Sequence, residues 1–91
     1  MADQRQIVRF TGNVQGVGFR FAACRVAGRY GVTGTVRNYP DGSVECVVEG
    51  DAEQVDAFVG ELAETMAGYI RSHTSEPAPH TGEFSSFTVA F

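Results

Sequence analysis

The sequence lacks a long apolar run and has few basic residues. Its apolar runs are far shorter than the roughly 20 residues that cross a bilayer, so no membrane-spanning helix is expected. Residues 1–5, MADQR, lead directly into a strand-like segment, so we expect no signal peptide and a cytoplasmic protein. Seven Lys+Arg residues and a formal net charge of −4 are a poor basis for binding nucleic acid. Neither a membrane nor a nucleic acid is therefore expected as a partner.

Cysteine and histidine are also scarce, and their spacing argues against a metal site. Cys24 and Cys46 lie within segments of regular apolar spacing, with no CxxC pair and no nearby histidine, which predicts two small buried side chains. Geometry permits a disulfide between them, but a reducing compartment would not favour it. His73 and His80 have no ligand spacing and are predicted to lie in loops or on the surface. We expect no metal and no cofactor.

The chain contains enough apolar residues to form one hydrophobic core, since 43% of its residues are hydrophobic and 20% are charged. We predict a single domain over residues 1–91. Period-two alternation predicts strands at 6–11, 32–38, 44–49, 69–74 and 87–91, and helical spacing predicts helices at 19–30 and 51–66. The order strand, helix, strand, strand, helix, strand, with one more strand, fits an open antiparallel sheet covered on one face by both helices. This is the ferredoxin-like α/β sandwich, an α+β fold.

Several local expectations accompany this fold. Gly31 is predicted at the C′ position of the first helix, and residues 51–54 have the spacing of a capping box. Residues 39–42 are typical of a turn, which Asp41 would shape, and residues 75–83 are predicted to form a loop. A solvated face is predicted for the acidic residues Glu45, Glu49, Glu53, Glu61 and Glu64.

The most informative segment is the glycine-rich stretch between the first strand and the first helix. Residues 12–18 hold three glycines, so the backbone can turn several N–H groups toward one point at the positive end of a helix. Arg20 falls in the first helical turn, where a positive charge is unfavourable because the helix dipole is also positive there. Its position is better explained by an external anion, since a guanidinium can bind two phosphate oxygens at once. The alternative is a solvated surface arginine. There is no Gly-Lys-Ser/Thr ending and no third glycine in Rossmann register, so nucleoside triphosphates and dinucleotides are not indicated.

Two motifs resemble those of the acylphosphatase family. Residues 12–20, GNVQGVGFR, match the pattern G-x-V-Q-G-V-x-F-R, and residues 34–44 match G-x-V-x-N-x-x-D-G-x-V. The resemblance covers nearly the whole chain and implies an acylphosphatase that acts on a small-molecule acyl phosphate. It implies that Arg20 binds the phosphoryl group and that Asn38 orients the attacking water. The phosphate-binding residues that it implies are Gln15, Gly16, Val17, Gly18, Phe19 and Arg20.

Hydrolysis of an acyl phosphate requires few catalytic groups, so Arg20, Asn38 and the loop amides are a chemically reasonable set. The leaving carboxylate has a conjugate acid of pKa roughly 4 to 5, so no general acid is required. Charge stabilisation and positioning can then account for catalysis without a metal ion. An asparagine amide cannot remove the proton of the water, and the family mechanism passes that proton to a phosphate oxygen of the substrate. Taken alone, Asn38 could simply be the residue that starts the turn.

Two alternatives remain, both of the same fold. One is a carbamoyl-phosphate-binding module, since acylphosphatase-like domains occur inside larger carbamoyl-transfer proteins; the other is a non-catalytic domain that binds an anion. The sequence departs from the family pattern at residues 66–71. Phe19 and Phe21 bracket Arg20, which predicts a site that favours aromatic acyl groups. A monomer is expected, because no spare apolar helix face is evident.

Overall fold

The computed structural model describes residues 3–91, which form a five-stranded sheet and two helices. The predicted absence of a signal peptide depends partly on Met1 and Ala2, which lie outside the described residues. Within residues 3–91, neither helix combines the length and the apolarity that a membrane crossing requires. The elements are β1 (Asp3–Gly12), α1 (Phe19–Ala27), β2 (Thr33–Asn38), β3 (Val44–Asp51), α2 (Ala52–Thr65), β4 (Ile70–Ala78) and β5 (Phe87–Val89).

The sheet has the strand order β4-β1-β3-β2-β5. β1 pairs antiparallel with β3 and β4, and β2 pairs antiparallel with β3. The short strand β5 pairs with β2 in parallel, so the sheet as a whole is mixed. The predicted ferredoxin-like α+β fold is confirmed, with β5 as its additional parallel edge.

One face of the sheet carries the core. Val8 and Phe10 of β1 are fully buried, and so are alternate residues of β3, because successive side chains of a strand point to opposite faces. Both helices contact this face and each buries one apolar stripe against it. Their buried residues are Phe19, Ala22, Ala23, Val26 and Ala27 in α1 and Val55, Phe58 and Leu62 in α2.

The first helix ends earlier than predicted. It stops at Ala27, and Gly28 is the C-cap in the right-handed conformation, so Gly31 does not occupy the predicted C′ position. The N–H of Gly31 instead donates to Oε1 of Gln54 at 3.3 Å. Because Gln54 is engaged there, the predicted capping box is only half formed, although Asp51 still accepts from the Glu53 N–H at 3.2 Å.

The C-terminal strands also differ from the prediction. β4 runs to Ala78 and includes Pro77, which lay in the predicted loop. Since β4 is an edge strand, a proline that has no N–H can be accommodated there. Phe91 was predicted to belong to the last strand, but it follows β5 and is 96% exposed.

The other face of the sheet holds a buried carboxylate. Glu49 was predicted to be solvated but is only 1% exposed. Its Oε2 accepts from Nη1 of Arg5 and from the Thr81 N–H, each at 3.0 Å, and its Oε1 accepts from the Gly82 N–H at 3.0 Å. We call residues 80–83 the clasp segment. Its donors replace the water that the carboxylate loses on burial, which is why a charge is tolerated here.

Candidate active site

The loop between β1 and α1, residues 13–18, is held firmly at its start; we call it the cradle loop. The N–H of Asn13 donates to the carbonyl oxygen of Tyr69 at 2.9 Å, and the Val14 side chain is fully buried. A Cβ on the preceding Gly12 would lie 2.5 Å from that same carbonyl oxygen, so only glycine fits where β1 passes β4. The chain therefore enters the cradle loop from a fixed point.

The cradle loop presents backbone N–H groups that have no acceptor. Gly16 and Gly18 adopt φ angles of +76° and +79°, which glycine reaches without strain. Gly18 is also the N-cap of α1 and supplies no side-chain cap. Within residues 3–91, the N–H groups of residues 15–19 donate no hydrogen bond to the protein. They lie at the positive end of the helix dipole, where an anion is stabilised.

The Gln15 side chain connects the cradle loop to the β2–β3 turn. Its Nε2 donates to the carbonyl oxygens of Tyr39 at 2.7 Å and Ser43 at 2.9 Å. Of the groups that Gln15 carries, the backbone N–H therefore remains for an anion. Sequence reasoning missed this link, because both acceptors are main-chain carbonyl groups, which leave no mark on residue type. The link holds the two sequence motifs next to each other.

Asn38 lies at the end of β2, immediately before this turn. The turn is closed by Asp41, whose Oδ1 accepts from the hydroxyl of Ser43 at 2.6 Å and from its N–H at 2.9 Å. These two hydrogen bonds lower the pKa of Asp41, and they confirm its predicted role in shaping the turn. The Oδ1 of Asn38 is buried and is the one buried side-chain N or O atom of residues 3–91 that has no hydrogen-bond partner. A buried acceptor of this kind calls for an external donor.

Arg20 is the second residue of α1 and is half-buried. No carboxylate within the described part of the chain forms an ion pair with it. Arg20 and Asn38 line one cleft of about 410 Å³, together with Gly16 and Gly18 of the cradle loop. The structure thus brings residues of both motifs to a single cavity that offers a cation, free amides and a buried acceptor.

The rest of the cleft is mainly apolar. Phe21 and Phe91 are exposed at 72% and 96%, whereas Phe19 is 2% exposed and its ring packs 5.0 Å from that of Phe10. Val89 and Phe91 were not predicted to belong to the site, because only the pairing of β5 with β2 places the chain after Phe87 here. Cys24 was not predicted to belong to it either, although it follows Arg20 by about one helical turn in α1. The remaining lining residues are Val14, Phe19, Phe21, Cys24, Val89 and Phe91.

The two cysteines have different surroundings. Cys46 is buried as predicted, and burial raises the pKa of its thiol well above the usual range. The prediction that Cys24 is buried is wrong, since it is half-buried at the cleft, where partial burial raises its thiol pKa. Both thiols are free. Among residues 3–91 there is no group of three or more His, Cys, Asp or Glu side chains that could hold a metal ion.

Comparison with known proteins gives a consistent result. The acylphosphatase family model matches residues 6–89. An acylphosphatase of Methylococcus capsulatus is 46% identical over 88 residues, which is 94% of this chain and 95% of the relative. An acylphosphatase of Thermococcus kodakarensis is 55% identical over 56 residues, which is 62% of this chain and 62% of that relative's length. The solved structure of an acylphosphatase from Coxiella burnetii has a TM-score of 0.85 at 26% identity, and the match covers 97% of this chain and 93% of that one.

Proposed function

The chain belongs to the acylphosphatase family of hydrolases, and from this premise we propose that it hydrolyses the carboxyl–phosphate bond of an acyl phosphate. The products are a carboxylate and inorganic phosphate. The observation that supports this most directly is the buried, unpartnered Oδ1 of Asn38 in the same cleft as Arg20. One cleft then has a place for the phosphoryl group and a place for water.

The phosphoryl group is bound by Arg20 and the cradle loop. The guanidinium grips two phosphate oxygens in a bidentate manner, as a lysine ammonium could not. The free N–H groups of residues 15–19 donate to the phosphate oxygens. Charge on these oxygens is spread in the loose transition state of phosphoryl transfer, so donors fixed before the reaction stabilise it without reorganisation.

Asn38 positions the attacking water. Its Oδ1 accepts a hydrogen bond from the water and holds the oxygen opposite the leaving acyl oxygen. The Gln15 bonds to Tyr39 and Ser43 keep the turn, and hence Asn38, at a fixed place relative to the cradle loop. Gln15 is in this sense a positioning residue.

The bond changes balance without a protein acid or base. The water oxygen bonds to phosphorus while the bond from phosphorus to the acyl oxygen breaks, and its electron pair leaves with the carboxylate. The water proton passes to a phosphate oxygen of the substrate. A carboxylate leaves readily at neutral pH because its conjugate acid has a pKa of roughly 4 to 5.

We include in the proposal that the reaction requires no added metal ion, since Arg20 and the amides supply the charge stabilisation. The cytoplasmic location and the monomeric state stay predictions. Benzoyl phosphate hydrolysis at neutral pH, in excess EDTA, tests the reaction. The variants are Arg20→Lys and Asn38→Ala, with circular dichroism as the check on folding.

We expect turnover by the intact protein in EDTA and a loss of about 100-fold or more in kcat for Asn38→Ala, comparable to removal of an oxyanion-hole donor. Arg20→Lys should lose activity similarly, because lysine keeps the charge but not the fork. Inhibition by inorganic phosphate should weaken in Arg20→Lys and persist in Asn38→Ala. A folded intact protein that binds phosphate but hydrolyses no acyl phosphate would instead be the anion-binding module of the same fold.

A further inference from the structure

Exposed aromatic rings are concentrated at one place on the surface. Among residues 3–91, the large hydrophobic side chains with high exposure are Phe21, Tyr69 and Phe91, at 72%, 45% and 96%. Two of these three, Phe21 and Phe91, line the cleft that contains Arg20 and Asn38. Single exposed apolar side chains need no explanation, but a cluster of large ones next to convergent polar groups is typical of a ligand site.

The two rings lie beside the groups that would hold the phosphate. Phe21 directly follows Arg20 in α1, and the ring centroid of Phe91 is 5.8 Å from the guanidinium carbon of Arg20. Val89 extends the same apolar wall. A phosphate bound by Arg20 and the cradle loop therefore leaves the group attached to it in contact with this wall.

On the basis of the proposed function, we propose that Phe21 and Phe91 form the acyl subsite and select acyl phosphates with an aromatic or bulky apolar acyl group. Phe19, the other ring beside Arg20 in the sequence, also lines the cleft, but it offers little free face to an acyl group, because it is 2% exposed and packs on Phe10. A benzoyl ring has more apolar surface to bury against these side chains than an acetyl group has. Burial of that ring away from water supplies the selectivity.

The experiment compares benzoyl phosphate with acetyl phosphate in the intact protein and in the variants Phe21→Ala and Phe91→Ala. Both side chains are mostly exposed, so we expect both variants to fold. Tyr69→Ala is the matched control, because it removes the third exposed aromatic ring at a place outside this cleft. Inhibition by inorganic phosphate is measured in each protein to report on the phosphate site separately.

We expect the intact protein to prefer benzoyl phosphate in kcat/KM by about tenfold, the size of discrimination that one apolar group provides. Phe21→Ala and Phe91→Ala should each lower this preference, because each reduces kcat/KM for benzoyl phosphate more than for acetyl phosphate, and Tyr69→Ala should retain it. If the intact protein hydrolyses both substrates equally well, or if both variants keep the preference, the acyl subsite is wrong and the proposed function stands. If it hydrolyses neither, the proposed function fails and this inference fails with it.

Discussion

The cradle loop and the clasp segment are built from the same parts and differ in what fills them. Each has glycine at positive φ, +76° and +79° at Gly16 and Gly18 and +70° at Gly82. Each has backbone N–H groups that do not take part in the helix or sheet hydrogen bonds, and each has an arginine beside it, Arg20 in one and Arg5 in the other. In the clasp segment the protein's own Glu49 accepts from these N–H groups. In the cradle loop no group of residues 3–91 does.

This difference separates a structural anion site from a binding site. The Glu49 carboxylate accepts from Nη1 of Arg5 and from the N–H groups of Thr81 and Gly82, so these donors are already used within the protein. The amides of the cradle loop and Arg20 have no internal anion, and their unused hydrogen-bonding capacity is what a phosphate can use. A glycine, an arginine and backbone amides therefore indicate a ligand site only where no carboxylate of the protein itself is bound to them.

The largest expected effect is that a substitution in the clasp segment lowers stability, whereas a substitution beside the cradle loop impairs phosphate binding. Glu49→Gln should lower the free energy of unfolding by about 3 kcal/mol, because an amide cannot accept all of the charge-assisted bonds and leaves Arg5 without its buried partner. Arg20→Ala should change it by no more than about 0.5 kcal/mol, since it breaks no internal ion pair, yet abolish binding of inorganic phosphate. Urea unfolding measures the free energy of unfolding, and titration calorimetry with inorganic phosphate measures the binding.

Glu45→Gln is the matched control for that prediction. Glu45 lies on the same strand and face, opposite Arg9 as Glu49 lies opposite Arg5. Its Oε2 accepts from Arg9 and from the Tyr39 hydroxyl, each at 3.2 Å, but no backbone N–H of residues 3–91 donates to it. We expect a loss of about 1 kcal/mol or less there. Equal losses in Glu45→Gln and Glu49→Gln would contradict the special role given to the clasp segment.

Acidification should lower the free energy of unfolding by a smaller amount. Burial alone would raise the pKa of Glu49, but the N–H groups of Thr81 and Gly82, the Thr81 hydroxyl and nearby His80 together lower it below its ordinary value. A carboxyl with a lowered pKa stabilises the fold above its unfolded pKa of about 4.3, and this stabilisation is lost as the pH falls through the folded pKa. Unfolding in urea at a series of pH values between neutrality and acid measures it.

The intact protein should lose stability on acidification, and Glu49→Gln should lose less over the same range. Arg5, His80 and Glu83 are the other ionisable groups around this carboxylate. Hydrogen bonds from Arg5 and Thr81 lower the pKa of Glu83 too, so Glu83→Gln is the control that separates its contribution. An acid dependence that is identical in the intact protein and Glu49→Gln would assign the effect elsewhere.

The fold was largely predictable because its core follows simple periodicity. The alternation around Val8 and Phe10 and the stripe from Val55 to Met66 gave the correct buried faces. The errors lie where tertiary contacts decide. Gln54 was expected to cap its own helix but accepts a hydrogen bond from the N–H of Gly31, and Pro77 lies within a strand because β4 is at the sheet edge.

The site was predictable in its motifs but not in its surroundings. Arg20 and Asn38 come from two local patterns, and the structure places both in one cleft, as expected. Phe91 and Val89 reach that cleft only through the parallel pairing of β5 with β2, a non-local event. Glu49 resembled its exposed neighbours in sequence, because the donors that bury it are backbone groups about 30 residues later, and backbone groups carry no sequence signal.

The smallest expected change in stability comes from Gly16→Ala in the cradle loop and Gly82→Ala in the clasp segment. These two substitutions compare the regions directly, because both place a side chain at a similar positive φ angle. A Cβ at Gly16 would meet no atom within 4 Å, and one at Gly82 would meet only Cε1 of His80 at 3.6 Å, so neither creates a clash. Each should cost about 1 kcal/mol of stability from the positive φ alone. Only Gly16→Ala should also weaken inhibition by inorganic phosphate, by severalfold, because Gly16 lines the cleft and belongs to the loop whose amides would bind the phosphate. If both substitutions weakened phosphate inhibition equally, the cradle loop and the clasp segment would not be functionally distinct.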